Sequence, residues 1–126
     1  MTKYLGIDYG LAHLGLSVAD SVLATPLPTL SNNQTTLARL TALIKAEGIT
    51  LVVCGLPEGR LAPIVTRFAK QLEVSAQVPV VLHLETLTTQ EARQKLQEGG
   101  ASRTKRKNDH AYAACLILED YLEFDN

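Results

Sequence analysis

Three carboxylates that lie far apart in the sequence, Asp8, Glu85 and Asp109, could do chemistry if the fold brings them together. Asp8 interrupts the first apolar strand pattern, and an aspartate buried there is costly unless it meets water, a cation or several donors. Gly6 and Gly10 leave room for a phosphate or a metal ion to approach the backbone. A cluster of three acids would need a divalent cation, and two hard cations such as Mg²⁺ can activate water and stabilise the leaving oxygen in phosphodiester hydrolysis. Each acid taken alone could instead be a helix cap or a turn residue.

The apolar pattern predicts three leading strands, at about 4–7, 14–19 and 22–30, of which the third contains prolines and belongs at a sheet edge. Helices and strands alternate afterwards: a helix at 34–47, a strand at 50–54, a loop at 55–59, a helix at 62–75, a strand at 78–84, a helix at 88–97, a loop at 98–107 and a helix at 108–122. This order predicts an α/β fold in one domain over residues 1–126. Its mixed five-stranded sheet would have three antiparallel strands followed by two parallel strands, with helices on both faces.

The predicted sheet gives the acids a place to meet. If the first and last strands run parallel, Asp8 and Glu85 leave the sheet at the same carboxyl edge, where open α/β sheets bind their ligands. We expect Asp109, at the start of the last predicted helix, to pack against that edge. Asp20 ends the second strand, which runs back from Asp8, so we expect it at the opposite edge in a turn.

A basic run immediately precedes the third acid. Its four cationic side chains are Arg103, Lys105, Arg106 and Lys107. Next to a metal site they would hold a nucleic-acid backbone, whereas the alternative is an ordinary solvated loop. The net charge of the whole chain is −1, so any attraction for nucleic acid must come from such a local patch.

The remaining chemistry-bearing residues give weaker signals. His13, His83 and His110 stand near the acids and could be bases, partners of the acids or bystanders. Cys54 and Cys115 lie in apolar runs, which predicts buried, reduced thiols rather than a disulfide. No phosphate-binding glycine motif and no Cys-x-x-Cys motif is present.

The composition predicts a soluble cytoplasmic protein. Apolar residues make up 46% of the chain and charged residues 20%, which is typical of a globular domain. No segment reaches the roughly 18 consecutive apolar residues of a membrane span, and the N-terminus has no signal-peptide pattern, so no membrane partner is expected. No residue pattern marks an oligomeric interface, and the oligomeric state stays open.

The sequence resembles the bacterial Holliday-junction-resolvase-like proteins, also described as pre-16S ribosomal RNA nucleases (the YqgF family), in four segments: GIDYGLAHLGLSVAD, GLPEG, LETLTT and NDHAYAACLILEDYL. The resemblance covers essentially the whole chain. It implies a ribonuclease H-like fold, metal-dependent cleavage of nucleic acid and a role in 5′ maturation of small-subunit ribosomal RNA. By match to the family motifs, Asp8, Glu85 and Asp109 take the places of the catalytic, metal-binding carboxylates.

The chain departs from the family pattern at two cations, because His13 and Thr86 stand where the family usually has arginine. Three hypotheses follow. The leading one is a Mg²⁺- or Mn²⁺-dependent phosphodiesterase that cuts precursor ribosomal RNA or branched DNA. The second is a non-catalytic module that binds nucleic acid or assists ribosome assembly. The third, suggested by Asp8-Tyr9-Gly10 alone, is half of an actin-like ATPase.

Overall fold

The structure, a computed structural model, describes residues 2–85 and 103–124; for 103–109 and Phe124 it describes the backbone alone. Its sheet has five strands: β1 (Tyr4–Tyr9), β2 (His13–Ala19), β3 (Thr25–Ser31), β4 (Leu51–Leu56) and β5 (Val80–Leu84). Three helices accompany them within these ranges: α1 (Thr36–Glu47), α2 (Leu61–Ala76) and α3 (Arg103–Phe124).

The sheet has the predicted mixed topology, with the strand order β3-β2-β1-β4-β5. β1, β2 and β3 form the antiparallel meander, while β1, β4 and β5 run parallel. The proline-containing strand β3 lies at an edge, as predicted, because proline has no N–H to give to a second neighbour. The first and last strands therefore end at the same edge of the sheet.

Each face of the sheet has its own core, because side chains alternate along the strands. Leu5 and Ile7 of β1 are fully buried under α1 and α2, together with Leu40, Ile44 and Leu72 of these helices. The opposite face packs against α3 through a smaller cluster: Ala19, Val53, Ile117, Leu118 and Leu122. α1 ends where predicted, at Gly48, whose left-handed φ of 68° suits glycine.

Helix α3 lies in backbone contact with the sheet because two strands present glycine to it. A Cβ at Gly15 of β2 would overlap the carbonyl oxygen of His110, and one at Gly6 of β1 would lie 2.8 Å from the carbonyl oxygen of Ala114. The buried hydroxyl of Ser17 donates a hydrogen bond of 2.9 Å to that same Ala114 oxygen. The position of α3 on the sheet is therefore fixed by close backbone packing.

Two predicted boundaries are wrong in ways that affect the site. β1 continues to Tyr9, so Asp8 lies inside the strand, paired with Gly15 of β2. β4 continues through Gly55 and Leu56, which were predicted to be loop, because β5 pairs with both of them.

The third wrong boundary is the start of the last helix. Residues 103–107, predicted as part of a loop, form the first turns of α3. Arginine and lysine are good helix formers, and the run contains neither glycine nor proline to stop the helix. Asp109 consequently lies inside the helix and not at its start. The predicted helix at 88–97 and the remainder of that loop lie outside the described residues.

Within the described part of the chain, no helix is long and apolar enough to cross a membrane.

Candidate functional site

Asp8 is a buried carboxylate on the α3 face of the sheet, with a residue exposure of 1%. On one side its backbone pairs with Gly15, whereas on the other side the parallel pairing with β4 ends at Ile7 and Cys54. Asp8 is therefore the first residue of β1 after its last pair with β4. A carboxylate placed there lies at the carboxyl edge of the sheet and needs donors or cations to offset the cost of burial.

The imidazole of His110, from α3, contacts this carboxylate. Its Nδ1 lies 2.9 Å from Oδ2 of Asp8, although the two residues are 102 positions apart in the chain. An ionised carboxylate only accepts hydrogen bonds, so the imidazole nitrogen is the donor. Of the alternatives that the sequence left open for His110, the structure makes it a partner of the acid.

Glu85 follows β5 and is half-buried at the same edge. Its backbone N–H donates a hydrogen bond of 3.3 Å to the carbonyl of Leu56, the last residue of β4. Its side chain lies over Gly55, because a Cβ at that glycine would be 3.3 Å from Oε1 of Glu85. The same Cβ would lie 2.5 Å from Cδ1 of Ile117, so Gly55 makes room for α3 and has the carboxylate of Glu85 beside it.

The charges of Asp8 and Glu85 both influence one buried thiol, that of Cys54, which belongs to the core under α1 and α2. Burial raises the pKa of the Cys54 thiol far above its usual range, and the negative charges of Asp8 and, next, of Glu85 raise it further. The two predicted site acids therefore lie within electrostatic reach of the same point at the end of β4. The same effects keep Cys54 a protonated thiol, so it is not an activated nucleophile.

The backbone of Asp109 lies in α3 immediately before His110, but its side chain is outside the described residues. The contact between His110 and Asp8 places this turn of α3 at the edge where Asp8 ends. Among the side chains that are described, no three of the histidine, cysteine, aspartate and glutamate residues converge to hold a metal ion.

The other histidines lie on the same face of the sheet with different roles. His83 of β5 forms a contact of 2.6 Å, through Nε2, with the carboxylate of Asp120, and its ring meets Tyr121 edge to face. This pair links β5 to a more C-terminal turn of α3. His13 is the first residue of β2. Because side chains alternate along a strand, it lies on the same face of the sheet as Gly15, two residues nearer to the edge at which Asp8 lies.

Asp20 is exposed and directly follows Ala19, whose partner is Tyr4 at the far end of β1. It lies at the opposite edge, as predicted. The backbone of the basic run forms the turns of α3 that precede Asp109; its residues are Arg103, Lys105, Arg106 and Lys107.

The contact between Asp8 and His110 is what the sequence reasoning did not identify. The adjacency of His110 to Asp109 was its only signal, and adjacency does not distinguish a partner from a bystander. The contact forms because the backbone of α3 at His110 packs directly on Gly15, and this close packing is a feature of the tertiary structure.

Comparison with known proteins identifies the family to which the chain belongs. The family model RuvX, Holliday junction resolvase, matches residues 2–124. A protein from Anaeromyxobacter sp. (strain Fw109-5), whose name describes a predicted pre-16S rRNA nuclease, is 37% identical over 96% of each chain. A protein of the same name from Bacillus subtilis (strain 168) is 36% identical over 96% of this chain and 97% of its own.

Solved structures with the same fold include resolvases bound to Holliday junctions. RuvC from T. thermophilus in complex with a Holliday junction substrate superimposes with a TM-score of 0.61 and 18% identity, over 97% of this chain and 94% of RuvC. A fowlpox virus resolvase in complex with Holliday junction DNA gives a TM-score of 0.64 at 10% identity, over 97% of both chains. The ribonuclease H-like fold implied by the sequence resemblance is thereby confirmed. Since the family model spans nearly the whole sequence, and relatives above 30% identity cover nearly its full length, this chain belongs to the RuvX family of Holliday junction resolvases.

Proposed function

We propose that this chain is a cytoplasmic, divalent-metal-dependent endonuclease that hydrolyses phosphodiester bonds, with Asp8, Glu85 and Asp109 as the ligands of Mg²⁺ or Mn²⁺. The observation that carries the proposal is the burial of Asp8 at a sheet edge that it shares with Glu85. Two like charges near one buried point repel each other unless a cation lies between them. Family membership favours this nuclease hypothesis over the ATPase hypothesis.

The donor set fits a hard divalent cation. Carboxylate oxygens are the ligands that suit Mg²⁺ and Mn²⁺. Asp109 would be the third ligand, since it precedes His110 on the turn of α3 that contacts Asp8. The chemistry that a divalent cation supplies in such a site is activation of water and neutralisation of the charge that develops on the leaving oxygen.

The chain's own residues bind and orient the substrate around that site. His110 holds the carboxylate of Asp8 in place by its hydrogen bond. The basic residues of the α3 turns that precede Asp109 would hold phosphates of the nucleic-acid backbone: Arg103, Lys105, Arg106 and Lys107. In this proposal the basic residues bind the nucleic-acid backbone and the acids bind the metal ion.

The substrate that we propose is precursor ribosomal RNA near the 5′ end of the small-subunit sequence, as the names of the relatives suggest. Branched DNA is the competing substrate, because RuvC and the fowlpox resolvase have been solved with Holliday junctions. The two substrates differ in the 2′-hydroxyl and in helix shape, so cleavage assays separate them.

A second candidate function is nucleic-acid binding without cleavage. It is favoured by His13, which lies at the edge of the site where an arginine would offer a permanent charge to phosphate. Binding of this kind would be sensitive to salt and would need no divalent metal.

The test is the substitution Asp8→Asn, which keeps an oxygen that can accept the hydrogen bond from His110 but removes the charge. We expect cleavage of a labelled ribosomal RNA 5′ leader in Mn²⁺ or Mg²⁺ to fall by about 100-fold or more, since metal stabilisation of the transition state is worth several kcal/mol. Single-stranded RNA and a four-way DNA junction are assayed beside the leader.

Asp20→Asn is the matched control, because Asp20 is an exposed acid at the opposite edge of the sheet. It should cleave like the unmodified chain. Cleavage that survives Asp8→Asn would refute the assignment of the site. Metal-independent binding of all three substrates with no cleavage would support the second candidate instead.

A further inference from the structure

We infer that His110 is a positioning residue, which holds the carboxylate of Asp8 in the orientation that binds a divalent cation. This inference deepens the proposed function and rests on it. It assigns to His110 no contact with the substrate or the reacting atoms.

The first support is the burial of the contact. The Asp8 side chain is 2% exposed and that of His110 is 25% exposed, so the hydrogen bond is shielded from water at the carboxylate. Bonds to an ionised acceptor are stronger than neutral ones, and a low local dielectric strengthens them further. The bond of 2.9 Å therefore favours one orientation of the Asp8 carboxylate.

The second support is that the histidine itself is held by its surroundings. A Cβ at Gly10 would lie 3.3 Å from Cε1 of the imidazole, and one at Gly15 would overlap the backbone carbonyl of His110. The turn that contains Gly10 is fixed in turn by Asn32, whose side-chain amide donates a 2.8 Å hydrogen bond to the Gly10 carbonyl. The ring of His110 thus packs against the turn after β1, and its backbone packs against β2.

The consequence for metal binding follows from the chemistry of a carboxylate. Its two oxygens have about four lone-pair sites, so accepting one N–H leaves acceptor capacity for a cation. Hydrogen-bond partners of ligating groups orient those groups, and removing such a partner typically weakens metal affinity by about 10- to 100-fold. We therefore expect His110 to influence metal affinity without being a ligand.

The pair His83 and Asp120 provides a matched control. It has the same chemistry, with an Nε2–Oδ2 distance of 2.6 Å and side-chain exposures of 16% and 17%, and it also joins the sheet to α3. It does not involve Asp8. A substitution there removes a comparable helix–sheet contact and leaves the contact between Asp8 and His110 in place.

The experiment measures the affinity of the purified chain for Mn²⁺ alone, from the electron paramagnetic resonance signal of free Mn²⁺, with no nucleic acid present. The variants are His110→Leu, His110→Asn, His110→Gln and Asp120→Asn. The amide nitrogen of asparagine can take the place of Nδ1, whereas that of glutamine takes the place of Nε2. Thermal unfolding of every variant is recorded in parallel.

We expect His110→Leu and His110→Gln to bind Mn²⁺ about tenfold more weakly or worse, and His110→Asn to restore most of the affinity. Asp120→Asn should bind like the unmodified chain even if it lowers thermal stability. If His110→Leu fails to fold, the difference between the glutamine and asparagine variants tests the same point.

Unchanged Mn²⁺ affinity in the leucine and glutamine variants would overturn the inference and leave the proposed function intact. An equal loss in Asp120→Asn would also overturn it, because the effect would then come from the packing of α3 in general. If the unmodified chain binds no Mn²⁺, the proposed function fails and this inference fails with it.

Discussion

At the scale of single residues, the site has a carboxylate in a buried strand position, where desolvation of the charge is costly. Asp8 occupies a strand position with 1% exposure, and its charge adds to the effect of burial in raising the pKa of Cys54. An apolar residue at position 8 would remove the desolvation cost of the charge together with the hydrogen bond from His110. The cation that we propose for this site would account for a buried carboxylate at position 8.

A thiol on α3 gives a prediction about pH. Burial and, next, the charge of Glu119 raise the pKa of Cys115 from 9.0 to about 11, although a hydrogen bond from Ser17 opposes them. Between these two values the folded chain keeps a proton that the unfolded chain has lost. The stability that the neutral thiol contributes is therefore complete below pH 9.0 and is lost as the pH rises through about 11.

We expect the free energy of unfolding to fall over this interval, and to fall less steeply in Cys115→Ala. Urea unfolding at a series of pH values measures both slopes. Equal slopes in the two proteins would show that Cys115 titrates alike in the folded and unfolded chains.

At the scale of elements, helix α3 decides whether a site exists, because it brings His110 and the backbone of Asp109 to β1 and β2. It can approach so closely only because Gly15 and Gly6 present no side chain to it. The hydrogen bond from Ser17 to Ala114 fixes the helix along its axis. The glycines of β1 and β2 therefore allow the close packing of α3 on the sheet.

Gly15→Ala should displace α3, since its Cβ would meet backbone atoms of His110 and Ala111, which no rotamer change can relieve. We expect a loss of about 2 kcal/mol or more in the free energy of unfolding, together with weaker Mn²⁺ binding. Urea unfolding and Mn²⁺ titration measure the two effects.

Gly48→Ala is the control for this substitution. It creates no contact within 4 Å and places alanine at a left-handed φ of 68°, so it should cost about 1 to 2 kcal/mol and leave Mn²⁺ binding unchanged. A Gly15→Ala variant with normal Mn²⁺ affinity would mean that the site does not depend on the close approach of α3.

At the scale of the whole molecule, charge is balanced overall and segregated locally. The chain has 12 lysine and arginine residues against 13 aspartate and glutamate residues, so it gains little from general attraction to nucleic acid. The run 103–107 concentrates four of the twelve cations in the first turns of α3, just before Asp109. Affinity for a phosphate backbone should therefore depend mostly on this one helix terminus.

Replacing Arg103, Lys105, Arg106 and Lys107 by alanine should weaken RNA binding and reduce its dependence on salt. For every phosphate that the protein no longer neutralises, the slope of log affinity against log salt falls by about 0.7 for a single strand and about 0.9 for a duplex. Binding of the Asp8→Asn protein, titrated over a range of salt concentrations, measures this slope without cleavage.

Alanine is a good helix former, so these changes should preserve α3. Replacing Arg67 and Lys70, exposed cations of α2, is the control for a simple change of net charge. If the control lowers the slope as much as the four changes in α3, RNA binding is not localised at the start of that helix.

Much of this protein is predictable from local sequence patterns. Apolar periodicity predicts the order of the described elements. The missing N–H of proline predicts the edge position of β3, and the left-handed conformation that glycine accepts predicts the end of α1 at Gly48. Parallel pairing of β1, β4 and β5 then requires Asp8 and Glu85 to end at one edge. These features depend on residues close together in the chain or on simple rules of connection.

Only the tertiary structure decided the rest. β1 and β4 extend beyond their predicted ends because neighbouring strands supply hydrogen bonds that no local pattern records. The hydrogen bond of His110 to Asp8 spans 102 positions, and it depends on the depth at which α3 packs on Gly15. The sequence by itself determined which residues could form a site, whereas the contact that orients the buried acid was set by packing, because helix–sheet distance is a property of the assembled core.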